Sequence, residues 1–213
     1  VDRANYNNTA KVISLIDPDV IALQELDKFT TWHPHDQLKE LADRTGMKPY
    51  YCKTIDYRGG DYGIGILSKR EPLRTVSGDL PGTEARKFFL AEFDDYIFIA
   101  THLCHLETTN RAQSVEIINA YIAANYASYT KPIFLAGDFN DTPSSYTYRT
   151  MKGDMTDGFR DSGSGYGGTF RYLGGGLRID YIFYDDAFEG IRYYMPPEDV
   201  SDHKAVVAEL RFR

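Results

Sequence analysis

Near the C-terminal end, Ser201, Asp202 and His203 set a carboxylate beside an imidazole. Upstream stand Gln24 with Glu25, Thr101 with His102, and Gly137, Asp138, Phe139 and Asn140, each at the end of an apolar run. Asp180 lies inside an otherwise apolar stretch, Arg178 to Tyr184. Carboxylates delivered from strand ends into a cleft suit a hard divalent cation that prefers oxygen ligands. A histidine beside them can move a proton near neutral pH. A buried carboxylate such as Asp180 needs a partner, and His203 is the obvious one. Asp138 and Asn140 sit two apart on extended chain, so both side chains point to one side, and Gly137 lets backbone come close. Singly, each has a plain alternative: an exposed strand-end Glu, a capped turn, a structural His. Together and in this order they read as one site built from the ends of several strands, where layered α/β folds keep their chemistry.

The elements that must position these residues follow from periodicity. Asn8 to Ile16 places Ala10, Val12, Ile13 and Ile16 at helical spacing before Asp17 and Pro18, and Val20 to Leu23 then reads as a buried strand delivering Glu25. Gln37 to Arg44 is a second helix with Gly46 just beyond it. Short strands are expected over Pro49 to Ile55, Gly63 to Ser68, Leu73 to Leu80, Phe88 to Phe93 and Tyr96 to Thr101, the last two joined through Asp94 and Asp95. Arg111 to Tyr126 is the longest helix, and Pro132 to Ala136 is the strand that delivers Asp138 and Asn140. Gly158 to Gly176 reads as an irregular active-site loop holding a short Thr169 to Tyr172 strand. Strands over Arg178 to Tyr184, Phe188 to Met195 and His203 to Phe212 complete the set. Strands outnumber helices, which predicts a sheet-on-sheet core flanked by helices.

With 213 residues, 42% of them hydrophobic, and no composition break, the chain reads as a single domain over 1–213. A net charge of −7 opposes a polyanion such as duplex DNA, whose binding rests largely on Lys and Arg. Cys52 and Cys104 define neither a disulfide framework nor a zinc site. No transmembrane stretch or signal peptide is visible. The chain begins at Val1 rather than Met, which reads as an N-terminal truncation or a removed leader, the latter fitting a secreted or periplasmic protein.

In these motifs the chain resembles the endonuclease/exonuclease/phosphatase superfamily, the deoxyribonuclease I-like fold. The resemblance runs through Pro18 to Glu25, Tyr62 to Ser68, Thr101 to Leu103, Gly137 to Asn140, Arg178 to Ile182 and Ser201 to His203. It implies a four-layer α/β sandwich with two mixed β-sheets face to face and helices outside, and a phosphoester hydrolase working by in-line water attack. It implies Mg²⁺, with Mn²⁺ or Ca²⁺ as substitutes, held by Glu25 with Asp202 close by. His203 would be the general base, its ring oriented by Asp180, while Asp138 and Asn140 position water and a phosphoryl oxygen. His102 would donate to a phosphoryl oxygen or to the leaving group, and its presence resembles the deoxyribonuclease, sphingomyelinase and phosphodiesterase branches rather than the apurinic endonucleases. Arg86 is a candidate contact to substrate phosphate. A small-molecule or lipid-like phosphodiester or phosphomonoester is favoured over DNA or RNA, a nuclease being the first alternative and an impaired, phosphate-binding member the second. Specificity is expected in loops such as Tyr57 to Tyr62 and Gly158 to Gly176. One departure stands out: the family's first strand, ending in a metal-site Asn, has no counterpart before Glu25, and Asn5, Asn7 and Asn8 read as helix caps instead.

Overall fold

The computed structural model describes residues 3–126, 131–172 and 175–213. Its helices are α1 (Arg3–Ile16), α2 (Gln37–Thr45), α3 (Thr108–Tyr126), α4 (Tyr146–Lys152) and α5 (Gly158–Ser162). Its strands are β1 (Val20–Lys28), β2 (Lys48–Tyr57), β3 (Gly60–Ser68), β4 (Arg74–Leu80), β5 (Arg86–Glu92), β6 (Ile97–His102), β7 (Ile133–Asp138), β8 (Thr156–Asp157), β9 (Phe170–Tyr172), β10 (Gly175–Leu177), β11 (Asp180–Tyr184), β12 (Phe188–Tyr194) and β13 (Val207–Phe212). Local chemistry sets several ends. The Asp36 carboxylate accepts from the Lys39 amide to start α2, and Gly46, at φ 72°, closes it in the left-handed conformation.

Four layers result, as expected. One sheet runs β4-β5-β6-β7-β11-β8, antiparallel except for the parallel β6–β7 pair, which α3 connects. The second runs β1-β3-β2 and is antiparallel throughout. Between them lies a core that includes Ile64, Ile66, Phe89, Phe98 and Ala136. Outside the six-stranded sheet, Val115, Ile118, Tyr148 and Met151 of α3 and α4 pack on Ile99, Leu135 and Phe183. On the opposite side, Ala10, Ile13, Leu38 and Leu41 of α1 and α2 cover Leu26 and Leu67. Alternation drives the layering: successive residues of β6 and β7 feed opposite cores, because strand side chains have a period of two.

β12 and β13 form a separate hairpin. Between the open edge of β1 and that of β13 runs a cavity of about 670 Å³, roofed by α1 and floored by Phe98, Phe134, Ala136 and Ile182. Among the described residues no strand joins the two edges.

Several boundaries differ from expectation. α1 starts at Arg3, so Asn5, Asn7 and Asn8 are inside a helix rather than caps. Asn5 Nδ2 donates to Val200 O at 2.7 Å, and Asn7 Oδ1 accepts from Arg44 Nε at 2.9 Å. β1 continues past Leu23 to Lys28 through a bulge. The expected 158–176 loop opens with helix α5 and carries two strands, residues 173–174 lying outside the described residues. His203 precedes β13 and makes only a single bridge, to Phe170. α4 and β8 were too short to leave a periodic signature. Cys52 and Cys104 are free and buried. No described helix is long and apolar enough to cross a membrane.

Candidate active site

The bulge in β1 places Glu25. Leu23 pairs with Gly65 and Leu26 with Gly63, so Gln24 and Glu25 together face one residue of β3. An extra residue in one strand bends it and re-aims a side chain. Glu25 takes φ 56°, a conformation an L residue adopts at an energetic cost, and its side chain stays 67% exposed at the sandwich edge. β6 and β7 run parallel and in register, setting His102 opposite Asp138. β11 pairs antiparallel on the other side of β7, setting Asp180 opposite Asp138 as well. Three neighbouring strands thus end at one point. Close approach here depends on Gly137, at φ 154°, where a Cβ would stand 2.0 Å from Thr101 O.

Asp180 Oδ2 lies 2.9 Å from His203 Nδ1, and a carboxylate acceptor makes that nitrogen the donor. His203 Nε2 is then left toward Asp138 Oδ2, 4.0 Å away. His102 Nε2 stands 3.7 Å from Asp138 Oδ2 and 3.9 Å from Glu25 Oε1. Asn140, at φ 49°, turns back: its amide nitrogen donates to Leu103 O at 3.1 Å and to Asp138 Oδ2 at 3.2 Å, and its backbone N–H donates to Asp138 Oδ1 at 2.7 Å.

Electrostatics follow from burial and crowding. Burial, reinforced by the Asp180 charge, lifts the Asp138 carboxyl well above the usual carboxylate range. Burial alone would lower His203, but the Asp180 hydrogen bond and charge, then Asp138 and Asp202, raise it to about 9. His102 is pushed down to about 3, first by burial and then by the Arg86, His203 and His105 charges. It is neutral at pH 7 and can give a hydrogen bond without carrying charge.

Among the described residues, the donor atoms of Asp138, Asp180 and His203 lie within 4.8 Å of one another. Two buried carboxylates that repel each other, with one half-buried imidazole, fit a divalent cation. Glu25 joins this group's rim through His102. Asp202 is exposed beside it, accepting from the Ser201 hydroxyl at 3.1 Å. Glu25, His102, Asp138, Asn140, Asp180 and His203 are therefore gathered in one place.

Arg86 is 3% exposed. Its Nη2 reaches His105 Nδ1 at 3.4 Å and Glu84 Oε2 at 3.5 Å, while Nε and Nη1 have no hydrogen-bond partner. Leaving donors of a buried cation unsatisfied is costly, and an anion would relieve it. One member escaped the sequence reading. Tyr62 belongs to a matching motif, yet nothing about a strand-start tyrosine marks it. Its hydroxyl meets both the Glu25 carboxylate and the Arg86 guanidinium, and burial followed by the Glu25 charge raises its pKa.

The sequence model described as the endonuclease/exonuclease/phosphatase family matches residues 2–203. A mannosyl-6-phosphatase from Bacteroides thetaiotaomicron superposes at TM-score 0.80 with 20% identity, over 98% of this chain and 91% of that one. An endonuclease/exonuclease/phosphatase from Bacteroides vulgatus gives 0.83 with 21% identity, over 98% and 90%. The catalytic domain of human Nocturnin, with bound sulfate, gives 0.76 with 17% identity, over 100% and 88%.

Proposed function

The chain belongs to the endonuclease/exonuclease/phosphatase family, and on that premise we propose that it is a divalent-metal-dependent hydrolase of a small-molecule or lipid-like phosphoester, acting by in-line water attack. The observation that carries this reading is the Asp180–His203 contact of 2.9 Å, closed against Asp138 at the ends of adjacent strands. Glu25, with Asp202 as a second carboxylate, would hold Mg²⁺, or Mn²⁺ or Ca²⁺ in its place. A cation bound there supplies charge stabilisation at a phosphoryl oxygen.

The remaining work falls to the chain's own side chains. Asp180 fixes the His203 ring, as the acid of a nucleophilic triad fixes its histidine. His203, its free Nε2 turned toward Asp138, is placed to accept the proton of the attacking water, with Asp138 beside it. Neutral His102 donates Nε2–H toward a phosphoryl or leaving-group oxygen. Arg86, with two free guanidinium nitrogens, clamps a second phosphoryl oxygen, and Asn140 positions Asp138. A net charge of −7 weighs against a polyanionic substrate, and the Bacteroides thetaiotaomicron neighbour, a mannosyl-6-phosphatase, supports a small ester.

The test is hydrolysis of a bis-aryl phosphodiester and an aryl phosphomonoester with Mg²⁺. Chelation with EDTA should abolish turnover and added Mg²⁺ restore it. His203→Ala and Glu25→Ala should each lower the rate by about 10²–10⁴ while the circular dichroism spectrum is retained. Full activity in both variants would sink the assignment, and faster cleavage of plasmid DNA than of either small ester would make the chain a nuclease.

A further inference from the structure

The loop after β1 and the β2–β3 hairpin carry an aromatic cluster beside the site that the hydrolytic chemistry does not use. Trp32 is 60% exposed. The Arg58 guanidinium sits over its ring, Cζ 3.4 Å from the centroid, and also lies over the Tyr57 ring at 5.3 Å. One indole face is therefore covered and the other is open to solvent. An exposed tryptophan held this way keeps a fixed orientation at little entropic loss on binding.

The two loops are locked together through their backbones. The Thr31 amide donates to Arg58 O at 3.0 Å, and at Gly60 a Cβ would stand 2.4 Å from Lys28 O, so the hairpin presses directly on the end of β1. Arg58 itself is held at φ 46°. That left-handed conformation is what a two-residue hairpin turn requires of its first central residue, and it fixes where the Arg58 side chain leaves the backbone.

From Trp32 an aromatic file leads inward. Trp32 to Tyr57 is 6.3 Å between centroids, at 88°, and Tyr57 to Tyr62 is 5.6 Å, at 56°. The Tyr62 hydroxyl ends the file at Glu25 and Arg86. Each ring is turned against the next, so a rigid stack of flat bases cannot follow the file. A flexible chain of saturated rings can turn face by face, placing an apolar C–H face on each aromatic while its hydroxyls stay in water and Arg58 backs the indole from the other side. The file is also longer than one ring.

We propose that Trp32, Arg58 and Tyr57 form a sugar-binding subsite, so that the ester hydrolysed is a phosphorylated oligosaccharide whose outer ring stacks on the open face of Trp32. This rests on the phosphoester-hydrolase reading above and names its substrate class. The phosphate is held at Glu25 and Arg86, the first ring passes Tyr62 and Tyr57, and the second reaches Trp32.

Trp32 is the sole tryptophan of the chain, so its emission reports the subsite directly. Kinetics of a disaccharide phosphate and of hexose 6-phosphate should give KM values differing by about tenfold in favour of the disaccharide, the scale of one good aromatic stack. Trp32→Ala should bring that ratio to about one, Trp32→Phe should keep most of it, and Arg58→Ala should fall between. In the inactive His203→Ala protein, the disaccharide phosphate should shift Trp32 emission saturably. Equal KM values in the wild type, an equal rise for both esters in Trp32→Ala, or a Trp32-dependent preference for a nucleotide would overturn the subsite. So would the absence of any emission change. Saturable emission without hydrolysis of either ester would support the subsite and overturn the chemistry proposed for the site instead.

Discussion

Asp157 is the residue whose loss should harm the fold most for its size. It is 2% exposed and ends β8 as the N-cap of α5, accepting from the amides of Phe159 at 3.0 Å and Arg160 at 3.4 Å. Arg178 Nη1 lies 3.0 and 2.8 Å from its two carboxylate oxygens, and the Tyr148 hydroxyl donates to Oδ2 at 2.5 Å. Arg178 is itself 9% exposed along its side chain and packs against Tyr181 and Phe159. Asp157→Ala leaves that guanidinium buried without a counter-charge, a loss of about 3–5 kcal/mol, to which the lost cap adds about 1 kcal/mol. The two overlap because they share one carboxylate, so about 4–5 kcal/mol is the working figure. With a urea m-value of about 2 kcal/mol/M, the unfolding midpoint should fall by about 2 M at unchanged m. Replacing both partners with apolar residues, Asp157→Leu with Arg178→Met, should recover most of the loss, since the penalty lies in the unpaired charge rather than in the missing attraction. A midpoint shift under about 0.5 M in Asp157→Ala, or a double variant as unstable as the single one, would refute the reasoning.

Gly137→Ala should be nearly as damaging, because its Cβ meets Thr101 O and its φ is foreign to alanine. About 3 kcal/mol of strain and overpacking lowers Tm by about 6–12 °C by calorimetry, and a change within about 2 °C would contradict the close β6–β7 approach. Glu92, 4% exposed, gives a pH-dependent case. Burial alone would raise its carboxyl, but Lys131 at 2.8 Å and Arg74 at 2.7 Å outweigh it and leave the pKa lowered from 4.5. A lowered folded pKa means stability that is present above about pH 4.5 and lost as pH falls through the folded value. Glu92→Gln should therefore be less stable than wild type by about 2 kcal/mol at pH 7 and close to it at pH 3, read from urea unfolding, and a gap that widens on acidification would contradict the pairing.

What could be read in the sequence was whatever depends on periodicity and on polar residues interrupting it. β6, β7 and β11 are apolar runs, and the histidine and aspartates at their ends stood out against them, so the meeting of His102, Asp138, Asp180 and His203 was foreseeable. Registers were not. That Gln24 and Glu25 share one partner, or that Tyr62 reaches Glu25 and Arg86, depends on pairing between segments almost forty residues apart. Short elements were equally hidden: α4 and α5 start on Ser145 and Asp157 caps, and such residues are as common in loops as at helix ends. Arg86 was picked out as a phosphate contact, but its burial, which gives that role its physical weight, became visible only in the folded sandwich.

Glu25 and Asn140, two residues of the candidate site, both occupy positive φ. Glycine would relax either position, because only the missing Cβ removes the conflict with the backbone. Here the fold and the chemistry pull in opposite directions. A search for variants that survive heat would be drawn toward glycine at both positions, and each gain would remove a group from the cluster. The strain in these turns is thus a trade-off between durability and activity.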